Sequence, residues 1–255
     1  MKDYLYVRYR YNLLVRLMFL LTSLTSLYCL FMVENIFTKF IYIFICIVIL
    51  IGSIYMINRW YINIVKQILY CDINLKAFRQ FVYVNASSKI YENQLQSRVA
   101  SIIYNYLIGE FDLAIEKINE LMNNYNLEQA QKNDLLNYQI KSKILSGKYV
   151  NKQEFKEDIS KLSLDNTLET ASIINSYEAM YDILVDQQIN DYFEELKSDF
   201  KLKKIEYIFF KAKNNILKNN IIETKKLFDT LSKENSELFV VKKARRYLEE
   251  NKNDY

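Results

Sequence analysis

Histidine and proline are both absent from the 255 residues, glycine occurs three times and cysteine three times. Each absence removes a class of chemistry or architecture. Without histidine there is no Ser-His-Asp or Cys-His pair, no imidazole ligand for zinc and no imidazole pH switch. With three glycines there is no GxGxxG and no GxxxxGK[ST] phosphate loop. The absence of proline and the scarcity of glycine argue against a sheet-rich fold with many tight turns, and for helices joined by short polar links. Cys29, Cys46 and Cys71 are far apart, odd in number and without CxxC spacing, so they indicate neither a disulfide framework nor a metal site. Cys71 has no visible activating partner and reads as structural.

What is present is apolar and aromatic: 51% hydrophobic residues, and 22 tyrosines. Leu17–Val33 and Phe40–Ile57 carry no charge, and six residues, Glu34–Lys39, link them. At ~1.5 Å per residue each stretch covers roughly 26 Å, close to the hydrocarbon thickness of a bilayer. The pattern predicts a two-helix transmembrane hairpin over residues 17–57, which makes the lipid bilayer the first expected partner. A cleaved signal peptide would need a small-residue cleavage site and no second span, and a lipoprotein would want small residues before its cysteine, where Tyr28 precedes Cys29. A buried hairpin in a soluble core is the third alternative. Four Lys and Arg precede the first span, and Arg59, Lys66, Lys76 and Arg79 follow the second. The positive-inside rule therefore expects a multi-pass protein of the cell membrane with both termini cytoplasmic. Arg16 and Lys39 lie at span edges, where long side chains snorkel to the interface rather than serve transport.

Residues 1–16 read as a basic cytoplasmic N-terminus and 58–71 as a juxtamembrane continuation of the second span. Asp72 is the expected cap of a helix starting near Ile73. Residues 72–255 read as a cytoplasmic helical domain. Net charge beyond residue 58 is close to zero, so no nucleic-acid partner is expected, and the basic run at 242–248 is followed at once by Glu249 and Glu250. Adjacent carboxylates such as Glu194 and Glu195 do not face each other on a helix.

The stretch YNYLIGEFDLAIEKINEL, residues 104–121, sets the organisation of this domain. Leu95, Val99, Ile102 and Tyr106 recur at helical spacing before Gly109, and Phe111, Ala114, Ile115, Ile118 and Leu121 after it. Gly109 predicts a left-handed helix stop. Further breaks fall at Gly147 and near Gln187 and Asn219, at spacings of roughly 38, 40 and 32 residues, the order expected of stacked helix–turn–helix units. Two more stripes, Ile173, Tyr177, Met180 and Leu184, and Ile189, Phe193, Leu196 and Phe200, read as helix faces. Val241, Ala244 and Leu248 mark a closing helix. About nine helices are expected over residues 88–250.

Gly109, Phe111 and Ala114, followed by Ile118 and Leu121, match the spacing of the second helix in the tetratricopeptide repeat, and residues 88–126 resemble that family. Asn126, Ile102 and Lys152 depart from its usual residues, and the remainder to about residue 250 is similar in period. The resemblance implies an all-α chain: a transmembrane hairpin followed by a tetratricopeptide-like α-solenoid of stacked helix pairs. It also implies that the first helix of each pair lines a concave groove. That places Asn137 and Lys141, Tyr177 and Tyr181, and Glu206 and Lys213 on the inner surface as candidate partner-binding residues. The alternative for the two tyrosines is packing between helices. The expected function is a non-enzymatic, membrane-anchored adaptor or scaffold, free of cofactor and catalytic residues, binding an unknown protein or peptide at the inner membrane face. The alternative is an accessory or immunity subunit of a membrane transporter whose hairpin is the active part. Abundant Asn, Ile, Lys and Tyr point to an AT-rich bacterial genome.

Overall fold

The computed structural model describes residues 3–162 and 168–252, and these form helices and their links without a strand. The chain divides into two compact units, residues 1–81 and 82–255, each taken here by itself.

The first unit is built on a helical hairpin. α1 runs Tyr4–Met32 and α2 runs Ile36–Tyr70. Asp3 caps α1 by accepting from Leu5 N at 3.1 Å, and Asn35 caps α2 by accepting from Phe37 N at 2.9 Å and Thr38 N at 3.3 Å. That second cap draws Ile36–Lys39 into α2, so the link between the helices is Val33–Asn35 in place of the expected six residues. Both helices are long and apolar enough to cross a membrane. Their side chains face outward, with Leu24 55%, Phe44 66% and Ile51 63% exposed, which is the reverse of what a soluble core hairpin would do.

At ~1.5 Å per residue the two helices are about 44 and 52 Å long, well beyond a hydrocarbon core of about 30 Å. Outside the apolar band they continue side by side. The Tyr4 and Tyr61 hydroxyls are 2.6 Å apart, Tyr11 donates to Asn58 Oδ1 at 2.7 Å, and the Tyr4 ring meets the edge of Phe81 at 5.3 Å. Residues 4–16, within the expected basic N-terminus, are helix, and α2 continues as helix over 58–70. The expected cap at Asp72 is not. α2 ends with Asn74 N donating to Ile68 O at 2.9 Å through a left-handed Ile73 (φ 50°). This wide turn leaves Asp72 exposed and brings Asn74 to the cap of α3, Leu75–Ala86, where it accepts from Ala77 N at 3.1 Å.

The second unit contains α4 (Tyr91–Ile108), α5 (Phe111–Asn124), α6 (Gln129–Leu145), α7 (Lys152–Ser160), α8 (Leu168–Tyr181), α9 (Lys201–Leu217), α10 (Ile221–Ser232) and α11 (Phe239–Glu250). A π-helical turn, Asp182–Asp186, extends α8, and a 3-10 turn spans Asp191–Phe193. All four expected breaks hold a left-handed residue: Gly109 (φ 93°), Gly147 (φ 66°), Gln187 (φ 54°) and Asn219 (φ 57°). At each of them the next residue's N–H reaches back to close the helix: Glu110 to Asn105 O, Lys148 to Lys143 O and Asn220 to Asn215 O, each at 2.9 Å, and Gln188 to Asp182 O at 2.8 Å. These bonds satisfy carbonyls that the helix end would otherwise orphan.

Ion pairs link each break to the next. Lys148 meets Asp112 at 2.6 Å, Lys152 meets Asp182 at 3.1 Å and Asp186 at 3.3 Å, and Lys218 meets Asp191 at 2.6 Å. Lys152, which stands where the repeat pattern has a small packing residue, is thus spent on the surface. α5 packs on both α4 and α6, and α10 on both α9 and α11. Ile102, Ala114, Ile118, Leu121 and Leu135 form the centre of the core around α5. The first and last helices of the unit also meet. The Phe111 and Phe239 rings are 4.8 Å apart, and Lys242 Nζ donates to Ile108 O at 3.1 Å.

One expected helix is missing. Ile189, Phe193, Leu196 and Phe200 do not form a helical face, because residues 187–200 are mostly irregular and Ile189 is exposed. Polar side chains hold this segment instead. Buried Asn214 accepts from Asn190 N at 3.0 Å and donates to Asp191 Oδ1 at 2.7 Å, and Lys211 Nζ donates to Glu194 O at 2.6 Å.

Candidate functional site

The irregular segment leaves a cavity of about 430 Å³ between α6, α8 and α9. α6 contributes Asn133, Asp134, Asn137 and Lys141, residues that share one helix face at spacings of three and four. α8 contributes Ser172, Ser176, Tyr177 and Met180, and α9 contributes Lys203, Glu206, Tyr207 and Phe210. Tyr192 and Phe193 enter from the irregular segment. The apolar part of the wall is layered: Phe193 stacks on Phe210 with ring centres 4.7 Å apart, and Tyr192 meets Phe193 edge-on at 5.4 Å.

Four of the six residues projected onto a groove converge here: Asn137, Lys141, Tyr177 and Glu206. Tyr177 is buried and donates to Asn137 Oδ1 at 2.6 Å. Burial, and secondarily the charge of Asp134, raises its pKa, so its hydroxyl stays a donor. Lys141 Nζ lies 3.5 Å from Glu206 Oε2, while Glu206 Oε1 accepts from the Tyr106 hydroxyl at 3.1 Å. Burial raises the Tyr106 pKa as well, with the Glu206 charge next in weight. The Lys141–Glu206 pair is therefore internally satisfied.

The other two projected residues lie elsewhere. Tyr181 is 2% exposed and stacks on Phe155 with centroids 4.4 Å apart, packing between helices. Lys213 lies over the Phe209 ring at 5.9 Å, and burial, aided by Lys243, lowers its pKa.

Residue projection missed Asp134, Lys203 and the aromatic wall. Asp134 and Lys203 sit one turn before Asn137 and Glu206 on the same helix faces, so carrying the projection one turn further would have found them. Tyr192 and Phe193 were out of reach, because they belong to a segment that helical period misassigns. Asp134 still reaches solvent, yet its crowded position desolvates the carboxyl and raises its pKa. Among the described residues no side chain forms an ion pair with Asp134 or with exposed Lys203.

A second hollow of about 400 Å³ lies beside α4 and α5. Its charges are occupied, Arg98 with Glu120 at 2.9 Å and Lys117 with the Ser101 hydroxyl at 3.0 Å. Among the described residues no group of acidic or cysteine side chains is arranged to hold a metal ion. No protein-family model, curated protein or solved structure matches the chain.

Proposed function

We propose that this protein is a membrane-anchored, non-enzymatic adaptor. The hairpin holds the helical unit at the cytoplasmic face of a membrane, with both termini on that side, and the cavity between α6, α8 and α9 receives a segment of a partner protein. The observation that carries the reading is the cavity itself, where aromatic rings, amides and hydroxyls meet two charges that have no ion-pair partner among the described residues. Peptide grooves combine apolar anchoring with a few placed polar groups in this way. The linked left-handed turns at tetratricopeptide-like intervals support a stack of helix pairs, here short and closed by the contact of Phe239 with Phe111. The charge-free interior of the spans supports an anchor rather than a conduit.

The test uses the full-length protein in native membranes with a photo-reactive residue at position 172, at the exposed edge of the cavity, or at position 156, exposed on α7. The adaptor reading expects a discrete crosslinked partner from position 172 and none from position 156. Equal crosslinking from both overturns it. Crosslinks arising only from span positions such as 24 and 44 would assign the activity to the hairpin, as in a transporter subunit.

A further inference from the structure

We infer that the cavity selects a short peptide segment carrying one basic and one acidic side chain, the basic one meeting Asp134 and the acidic one meeting Lys203. The inference rests on the adaptor reading and deepens it by naming the chemistry of the ligand.

Four charged side chains line the cavity: Asp134 and Lys141 from α6, and Lys203 and Glu206 from α9. Two of them neutralise each other across the cavity, since Lys141 Nζ and Glu206 Oε2 are 3.5 Å apart. Glu206 is further engaged by Tyr106. What remains is one carboxylate on α6 and one ammonium on α9, neither with an ion-pair partner among the described residues. A purely basic ligand would be attracted by Asp134 and repelled by Lys203, and a purely acidic one the reverse. A ligand bearing both signs satisfies both walls at once.

The geometry along the helices adds a direction. Asp134 precedes Lys141 by two turns, roughly 10 Å, whereas Lys203 precedes Glu206 by less than one turn. The two open charges are thus offset along the cavity relative to the closed pair. The occupant therefore meets the two charges on two different helices, beside the closed pair and not in its place. The uncharged lining suits a peptide backbone. Asn133, Ser172 and Ser176 make the wall polar, with the Ser172 hydroxyl 2.9 Å from the Tyr192 hydroxyl and the Ser176 hydroxyl donating to Ile173 O at 2.7 Å. Phe193, Phe210 and Met180 offer apolar contact below. The crowding that raises the Asp134 pKa is relieved by an incoming cation.

The experiment is a competition among terminally blocked short peptides on the full-length protein in lipid nanodiscs, read by ligand-observed NMR. One peptide carries lysine and glutamate, one lysine alone, one glutamate alone, one neither, and free lysine and free glutamate are added as small zwitterions. The mixed-charge peptide is expected to bind about threefold to fivefold tighter for each charge it presents, with the advantage falling at high salt. Asp134→Asn should abolish the preference for lysine and leave that for glutamate. Lys203→Met should do the converse. Both residues are exposed, so both variants are expected to fold. Equal binding of the four peptides, a lysine preference that survives Asp134→Asn, or tighter binding of the free amino acids overturns the inference. Its failure is separable from that of the adaptor reading. Crosslinks from position 172 without charge preference would leave the adaptor standing, and charge preference without crosslinks would leave only the ligand chemistry.

Discussion

Gly109 and Gly147 share a left-handed backbone but not their surroundings. A Cβ at Gly109 would meet Phe239 Cδ2 at 2.8 Å, whereas one at Gly147 has nothing within 4 Å. Gly147→Ala therefore carries only the conformational cost, about 1 kcal/mol. Gly109→Ala carries that cost and must also displace a ring that packs on Phe111 and Phe209, for a total of about 2–4 kcal/mol. Asn, which tolerates the left-handed region, should recover stability at position 147 and not at position 109. Thermal unfolding of the full-length protein followed by circular dichroism separates the two, and equal losses would show that Phe239 does not press on this turn. The left-handed state of Gly109 was legible from its place between two apolar runs. The contact with Phe239 was not, because its partner lies far downstream and no local pattern encodes it.

Period alone misread residues 187–200. Ile189, Phe193, Leu196 and Phe200 have helical spacing, yet Asn190 Oδ1 accepts from Tyr192 N at 3.1 Å in place of a backbone helix bond, and buried Asn214 takes up the Asn190 N–H and the Asp191 carboxylate. Asn214→Ala should cost about 1–3 kcal/mol, since it leaves the Asn190 N–H and the Asp191 carboxylate without this partner. Hydrogen exchange should accelerate at residues 190–193 while α9 stays protected, and unchanged exchange would count against the clamp. The same segment explains how much of the site could be read in advance. Asn137, Lys141, Tyr177 and Glu206 followed from counting turns back from each break. Tyr181 was projected onto the same face and does not line the cavity, because its buried ring stacks on Phe155. Lys213 lies past Phe210, where the α9 part of the lining ends.

At the scale of the molecule the cysteines report topology without any substitution. Cys29 and Cys46 lie within the expected spans, whereas Cys71 is exposed just beyond the end of α2. A membrane-impermeant maleimide should label Cys71 in inverted vesicles and not in intact cells, and should leave the other two unmodified on both sides. Labelling of Cys71 in intact cells would reverse the orientation. The two long apolar helices were legible because charge is absent over long stretches, a signal that needs no tertiary information. The closure of α11 onto α4 and α5 needs a great deal of it. One feature of the hairpin has a mechanical meaning. α2 is a single helix from Ile36 to Tyr70 without proline, and it works as a ruler. From the expected membrane edge at Ile57 its end stands off by roughly 20 Å. Each residue removed from that stretch lowers the end by ~1.5 Å and swings it by about 100°. Height and bearing are therefore set together. Removing seven residues preserves the bearing at reduced height, and removing two turns the end to face nearly the opposite way.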